Sequence, residues 1–286
     1  MTARPPSTQA ALMPVPSEGR PSFSPCGLVT LTTDFGTTDG YVGAMKGRIL
    51  ACSRKLRIED IAHGVPAQNI VHGAATICAA APYWPPGTVH IVVIDPGVGT
   101  ERRALAAVAG GHCLIGPDNG VLAPVLEMLG AEACHQITRN RATESFLPDV
   151  TAPTFHGRDL FAPIGAALAS GALALPETGP SCDWLRLKQP RPVPGVDHVE
   201  GEIILFDHFG NGVTNLRAED LPGPSPLTVS CGAISLALHD TYAAVAPGKA
   251  LALMGSSGFL EIAVRDKHAG ESLGLRIHDR IQVRKA

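Results

Sequence analysis

The sequence predicts an α/β domain with a largely parallel central sheet, followed by a smaller all-β domain. In the first half of the chain, short apolar runs alternate with segments of helical periodicity. After residue 172 this pattern gives way to a Pro-rich, aperiodic stretch. Beyond that stretch, seven short strand-like runs are separated by turn residues, which is typical of a small barrel or a sandwich.

A sequence pattern predicts each strand and helix of the first domain. Val42, Met45 and Ile49 recur at helical spacing. The run at 88–94 is nearly all apolar, as expected for a strand covered on both faces. The predicted strands are 28–33, 56–61, 88–94 and a β-pair within 104–116, and the predicted helices are 38–53, 69–84, 120–129 and 159–171.

The boundaries of the second domain follow from composition. The first 26 residues are rich in Pro and Ser and lack the apolar core of a signal peptide, so we expect a disordered tail at 1–26. We place the N-terminal domain at 27–184, a linker at 185–198 and the C-terminal domain at 199–286. The strand-like runs of the last domain are 200–207, 212–216, 226–231, 234–238, 250–255, 258–264 and 280–283.

The amino-acid composition argues against several classes of binding partner. The chain of 286 residues has a formal net charge of −3 and 5% aromatic residues, which argues against nucleic acid or an anionic membrane as the main partner. Its seven cysteines form no CxxC pair, so we expect reduced thiols and a cytoplasmic protein. No apolar run approaches the roughly 20 residues of a membrane-spanning helix. P-loop, Rossmann, GxSxG and paired-histidine metal motifs are absent from the sequence.

Two acids share a position relative to predicted strands. Asp34 follows the run 28–33, Asp95 follows the run 88–94, and glycine comes soon after each. Ligands of open α/β sheets bind beyond the carboxyl ends of the strands, so the two carboxylates would converge on one crevice. The alternative is that each Asp only caps the next turn or helix.

Three further stretches carry candidate residues. His156 lies with Arg158 and Asp159 where a loop enters a helix; it is either a general base or anion-orienting donor, or a helix cap beside an Arg–Asp ion pair. Asp207, Phe209 and Asn211 would bind a polar heterocyclic ligand. The alternative is a plain hairpin, which needs only the glycine and the asparagine of this turn. The Gly/Ser-rich loop at 254–258 offers donors to a carboxylate, or is a tight turn.

Six motifs in order resemble one enzyme family. They are LTTDFGTTDGYVGAMKG, VVIDPGVGTERRAL, IGPDNGVL, TFHGRDLF, FDHFGNGVTN and GSSGFLEIAV. The chain from about Leu28 to the C-terminus is similar to S-adenosyl-L-methionine (SAM) hydroxide adenosyltransferases, the SAM hydrolases related to fluorinase and chlorinase. The resemblance implies a C-terminal barrel-like domain and a homotrimer with active sites between the N-terminal domain of one subunit and the C-terminal domain of its neighbour.

The resemblance also implies roles for substrate-binding residues. Asp34 matches the acid that grips both ribose hydroxyls, and Asp39 lies toward the methionine end. Asp207 matches an acid that receives the methionine ammonium. The remaining matches are Phe209 beside the adenine, Asn211 at the adenine edge, and Ser256 and Ser257 at the methionine carboxylate.

Asp95, Arg102 and His156 match the set that identifies the water-using members of this family. The halogenases carry Tyr at the positions of Asp95 and His156, fluorinase carries Ser at that of Gly157, and the fluorinase Trp near the ribose is replaced by Gln68. A halide is repelled by a carboxylate, whereas water donates a hydrogen bond to it.

The sequence therefore predicts hydrolysis of SAM to adenosine and L-methionine by in-line attack of water on ribose C5′, with no metal or redox cofactor. Two alternatives stay open. One is a halide adenosyltransferase, and the other is a non-catalytic protein that binds adenosine or SAM.

Overall fold

The computed structural model describes residues 23–188, 190–223 and 226–285. Most of the predicted disordered tail lies outside these ranges; within them, the amide of Cys26 donates to the carbonyl oxygen of Gly87 at 3.1 Å. The described residues form two sheets, one in each half of the chain. No helix in the described part of the chain is long and apolar enough to cross a bilayer.

The first sheet has six strands. They are β1 (Leu28–Thr33), β2 (Arg57–Ala62), β3 (Val89–Val93), β4 (Ala104–Ala109), β5 (His112–Pro117) and β6 (Ala131–Gln136). Their order is β2-β1-β3-β5-β4-β6, in which β2, β1, β3 and β5 are parallel. β4 runs antiparallel to both β5 and β6, so the sheet is largely parallel, as predicted.

Helices cover both faces of this sheet. They are α1 (Tyr41–Cys52), α2 (Ile70–Ala80), α3 (Ala123–Leu129) and α4 (Ala162–Ala169). α1 and α4 pack on one face, where Met45 and Ile164 are fully buried. α2 and α3 pack on the other face, where Ile77 and Leu126 are fully buried. The result is a three-layer α/β domain whose central strands are covered on both sides.

The helix predicted at 159–171 begins differently from the expectation. The chain makes a π-helical turn at Gly157–Phe161 before α4 starts at Ala162. A π turn adds a residue to the helical repeat and is frequent at functional sites. Here it follows His156 directly.

The second sheet closes into a barrel. Its strands are β7 (Val193–Pro194), β8 (His198–Phe206), β9 (Gly212–Arg217), β10 (Leu227–Cys231), β11 (Ile234–His239), β12 (Ala250–Met254), β13 (Phe259–Val264) and β14 (Arg280–Lys285), with the short helix α5 (Ala269–Leu273) before the last strand. The order is β14-β10-β11-β12-β13-β9-β8-β7, and β14 also pairs with β8. That pairing closes seven strands and decides between the barrel and the sandwich that the pattern left open.

The two domains share an apolar contact. Val71 and Ala75 of α2 pack against Ile204, Leu205 and Val213 of the barrel. This contact places the outer face of α2 against strands β8 and β9.

Every strand and helix predicted from periodicity is present, with shifts at the ends. Among the strands and α-helices of the described residues, β6, β7 and α5 were not predicted. β6 reads AEACHQ and carries no β-branched residue, so it lacks the composition that identifies a strand. β7 has two residues, lies in the predicted linker and pairs with β8, while α5 has only five residues.

Candidate active site

Two neighbouring parallel strands carry acids to one edge of the first sheet. Thr33 of β1 pairs with Val93 of β3 in register. Asp34 comes directly after β1, and Asp95 follows β3 by two residues. The two carboxylates therefore lie at the same carboxyl edge, where open α/β sheets bind ligands. Asp34 and Asp95 thus share one sheet edge, and their convergence on one crevice stays a prediction.

Asp95 forms a buried ion pair with Arg102. The Nε of Arg102 donates to both carboxylate oxygens of Asp95, at 3.0 Å each, and its Nη2 also donates to Oδ2. The Asp95 side chain is 4% exposed and that of Arg102 is 10% exposed. Such a charge-assisted, forked bond fixes the plane of the carboxylate.

The loop between these two residues lies close to the segment that carries His156. Gly99 has φ +79°, and a Cβ atom there would lie 2.6 Å from the carbonyl oxygen of Pro153. Only glycine combines this left-handed backbone with so close an approach. The close approach brings Arg102 within reach of His156.

His156 completes a three-residue network. Its Nδ1 lies 2.7 Å from Nη2 of Arg102. A guanidinium only donates, so Nδ1 is the acceptor and the ring proton is on Nε2. Burial lowers the pKa of His156, and the positive charge of Arg102 lowers it further. The ring is therefore neutral at pH 7, and its Nε2–H bonds to no residue in the described ranges.

The alternative interpretation of residues 156–159 was a helix-capping His156 beside an Arg–Asp ion pair, and it is correct in part. Arg158 and Asp159 form the expected ion pair, with Nε to Oδ1 at 2.6 Å and Nη2 to Oδ2 at 2.7 Å. Asp159 also accepts from the amide of Ala152 at 2.9 Å. The His156 side chain, in contrast, makes no capping hydrogen bond. The ion pair thus braces the turn, and His156 is left to face Arg102.

Asp34 is held from one side only. The backbone amide of Gln68 donates to Oδ2 of Asp34 at 2.7 Å, and Gln68 has the left-handed φ of +64°. Oδ1 of Asp34 bonds to no described residue. Asp39 is exposed in the turn before α1 and likewise has no bonded partner in the described ranges. Both acids are open to a ligand.

Asn119 supports this edge and was not singled out from the sequence. Its Nδ2 donates to the carbonyl oxygen of Ile94 at 2.9 Å, and its Oδ1 accepts from the amide of Val121 at 3.1 Å. The first bond holds the backbone directly before Asp95. The turn motif IGPDNG was the only signal for it.

A second group of polar side chains lies on the barrel. Oδ1 of Asp207 accepts from the amides of Phe209 at 3.0 Å and Asn211 at 2.8 Å. Oδ2 of Asp207 accepts from Nδ2 of Asn211 at 2.9 Å. The hairpin interpretation is therefore correct for the turn itself. The Phe209 side chain is nonetheless 74% exposed, which a turn alone does not require.

Tyr242 and Glu261 join this group, and sequence reasoning missed both. Nδ2 of Asn211 donates to the Tyr242 hydroxyl at 3.3 Å, and that hydroxyl donates to Oε2 of Glu261 at 2.8 Å. Burial raises the pKa of Glu261 and of Tyr242, and the charge of Asp207 raises both further. Tyr242 is 31 residues from Asn211, so no local motif identifies it.

The Gly/Ser loop rests on the same group. A Cβ atom at Gly255 would overlap Oε1 of Glu261, so the loop begins directly over that carboxylate. The hydroxyls of Ser256 and Ser257 bond to no described residue. Asp207, Asn211, Glu261 and this loop are therefore neighbours in one group.

The structure thus builds two clusters in one chain. We call Asp34, Asp95, Arg102 and His156 the edge cluster. The barrel cluster consists of Asp207, Phe209, Asn211, Tyr242, Ser256, Ser257 and Glu261. Among the described residues no hydrogen bond, ion pair or ring contact links the two clusters. Nor do those residues contain a group of three or more His, Cys, Asp or Glu placed to hold a metal ion.

Family comparison matches both halves of the chain. Residues 29–179 match the model of the SAM hydroxide adenosyltransferase N-terminal domain. Residues 201–282 match the model of the C-terminal domain of the same family.

Individual relatives carry corresponding names. A protein of Salinispora tropica named (R)-S-adenosyl-L-methionine hydrolase is 38% identical over 91% of this chain and 99% of its own length. A fluorinase of an Actinoplanes species is 28% identical over 72% of this chain and 75% of its own. The crystal structure of an uncharacterized conserved protein from Thermotoga maritima superposes with a TM-score of 0.81 at 32% identity, covering 90% of this chain and 100% of that one.

Proposed function

The chain belongs to the SAM hydroxide adenosyltransferase family, and from that premise we propose that it hydrolyses SAM to adenosine and L-methionine. The observation that carries the proposal is the Asp95–Arg102–His156 network at the carboxyl edge of the sheet. The hydrolase relatives are named for the (R) form of SAM, and we extend the proposal to that sulfonium epimer.

The network offers one acceptor and one donor to a water molecule. Oδ1 of Asp95 accepts one bond from Arg102 and keeps lone-pair capacity for another donor. The free Nε2–H of His156 donates. A water that donates to Asp95 and accepts from His156 has one lone pair left, which faces ribose C5′. Asp95 and His156 thus position the water, and Arg102 holds both in place.

The reaction requires little else from the protein. As the water oxygen bonds to C5′, the C5′–S bond breaks and the sulfonium leaves as the neutral thioether of methionine. A neutral leaving group needs no general acid, so the barrier is set by alignment of the water and by acceptance of its proton. Asp95 is the base nearest to that proton, and bulk water removes it afterwards.

We assign the remaining residues to substrate binding. Asp34 has a free oxygen for the ribose hydroxyls, with Gln68 bracing its other oxygen. Asp39 lies toward the methionine end. On the barrel, Asp207 receives the ammonium, Phe209 and Asn211 receive the adenine, and the loop with Ser256 and Ser257 receives the carboxylate.

We propose that the active site is completed by a second copy of the chain in a homotrimer. The edge cluster and the barrel cluster have no described contact with each other within one chain. The exposed ring of Phe209 also lacks the cover that a binding site would give it. When the edge cluster of one subunit faces the barrel cluster of its neighbour, the two clusters meet and the Phe209 ring is covered.

We further propose a cytoplasmic location. All seven cysteines are free thiols, as expected in a reducing compartment.

The test is incubation of the purified protein with (S)-SAM and with (R)-SAM, with and without chloride or fluoride, followed by chromatography of the nucleosides. We expect adenosine, independent of halide. A 5′-halo-5′-deoxyadenosine product would show a halide adenosyltransferase. Bound adenosine without turnover of either epimer would show a binding protein.

A further inference from the structure

The side-chain amide of Asn211 has no free donor. One of its two N–H groups is donated to Oδ2 of Asp207 at 2.9 Å and the other to the Tyr242 hydroxyl at 3.3 Å. An ionised carboxylate can only accept, so Asp207 fixes the amide with its nitrogen inward. The orientation of Asn211 follows from the chemistry of its neighbours.

Glu261 completes this arrangement. The Tyr242 hydroxyl has one proton, and that proton is donated to Oε2 of Glu261 at 2.8 Å. The hydroxyl oxygen can then only accept from Asn211. Glu261 is 6% exposed, and the raised pKa of Tyr242 keeps its proton in place at any working pH. The chain of bonds therefore runs in one direction, from Asn211 through Tyr242 to Glu261.

What remains for a ligand is the carbonyl oxygen of Asn211. Oδ1 accepts no bond from the described residues, and it is not among the buried polar atoms that lack a partner, so solvent reaches it. At this point the barrel presents an acceptor and no side-chain donor. The exposed ring of Phe209, two residues away on the same turn, offers a flat apolar face. An acceptor beside an aromatic face suits an aromatic base with an exocyclic amine.

We propose that Tyr242 and Glu261 are positioning residues that select a 6-amino purine over a 6-oxo purine, by keeping both Asn211 N–H groups occupied. The inference rests on the proposed function, since adenine is the base of SAM. A 6-amino group donates to Oδ1 of Asn211. A 6-oxo group would place one acceptor against another, and a buried mismatch of this kind is costly.

The test compares adenosine with inosine, and SAM with S-inosyl-L-methionine, in the full-length protein. For the wild type we expect adenosine to bind at least about tenfold more tightly than inosine, with a similar ratio in kcat/KM. Tyr242→Phe removes the acceptor of one Asn211 N–H, so the amide is held by Asp207 alone and can turn the freed N–H toward a 6-oxo group. We expect this variant to lose most of the preference, mainly by improved binding of inosine.

Glu261→Gln is the matched control, because glutamine keeps an acceptor oxygen for the Tyr242 hydroxyl. We expect it to retain the wild-type ratio to within about twofold. A variant damaged only in folding loses affinity for both nucleosides, so the ratio separates positioning from structural support. An unchanged ratio in Tyr242→Phe, or no preference in the wild type, would overturn the proposal. Calorimetric nucleoside binding needs no turnover, so a protein that binds adenosine selectively without hydrolysing SAM would refute the proposed function alone.

Discussion

The edge cluster and the barrel cluster are held in place by different means. Asp95, Arg102 and His156 come from two separate loops and are joined by a buried guanidinium. Asp207 and Asn211 lie on one turn, where most of the bonds are local, and Tyr242, bonded to the buried Glu261, fixes the remaining N–H of Asn211. The first arrangement joins a carboxylate and an imidazole through one guanidinium. The second fixes the direction of the hydrogen bonds that Asn211 and Tyr242 donate.

This difference predicts a division of labour. Groups that contact the attacking water act mainly in the transition state, so their removal should lower kcat. Groups that contact the non-reacting ends of the substrate act equally before and during the reaction, so their removal should raise KM. Four measurements test that division.

Asp95→Asn should have the largest effect. The amide keeps the shape of the side chain but loses the negative charge, and with it the basicity proposed to receive the proton of the water. We expect kcat to fall by roughly 10²–10⁴-fold, with the Kd for SAM changed only a few-fold. Asp197→Asn, at an exposed position in the linker, is the control and should match the wild type. If Asp95→Asn retained wild-type turnover, Asp95 would not act on the water.

Asn211→Ala should show the opposite pattern. It removes the acceptor proposed for the base and leaves Asp207 and Tyr242 without a shared partner. We expect KM to rise about tenfold to a hundredfold with kcat within about threefold of the wild type. Steady-state kinetics at saturating SAM separate the two parameters. A fall in kcat with KM unchanged would remove the division between the clusters.

The pH profile tests the protonation state of His156. Its pKa is lowered, and protonation would both remove the Nδ1 acceptor and set two cations side by side. Activity should therefore be full above the ordinary histidine pKa and fall only as the pH drops through a lower value. His156→Asn keeps a donor and an acceptor without titrating, so we expect about tenfold lower kcat and loss of that acid limb. An acid limb unchanged in this variant would assign it to another group.

Asn119→Ala should have the smallest effect. It removes one hydrogen bond to the carbonyl oxygen of Ile94, directly before Asp95. We expect a loss of about 1 kcal/mol in the free energy of unfolding and a fall of a few-fold in kcat. Denaturant unfolding and kinetics on the same preparation measure both. A loss of kcat as large as that of Asp95→Asn would mean that the Asp95 loop collapses without this bond.

Much of the fold could be read from the sequence because its signals are local. The strand predicted at 28–33 has the same ends as β1 in the structure. The acid and the glycine that follow this run mark its end in the sequence itself. β6 was not predicted because its sequence does not favour a strand, and only its pairing with β4 at the sheet edge makes it one. Barrel closure likewise depends on β8 and β14, which are far apart in the chain.

The candidate site divides in the same way. Asp95, Arg102 and His156 each lie in a recognisable motif, but their mutual bonds depend on the close approach of the Gly99 and Pro153 backbones. Tyr242 lies outside the six motifs, and Glu261 lies within GSSGFLEIAV but was not singled out there. The pairing of β13 with β9 and the bond between Glu261 and Tyr242 bring them to Asn211. A local motif in the sequence identifies which residue type lies at a position. The orientation of its side chain depends on tertiary contacts that the motif does not contain.

Isotope labelling shows whether water attacks ribose C5′ of SAM. The reaction is run in H₂¹⁸O, and both products are analysed by mass spectrometry. We predict one ¹⁸O atom in adenosine, at the 5′ oxygen, and none in methionine. Label in the amino-acid product, or a nucleoside that retains the sulfur, would show that water does not attack C5′.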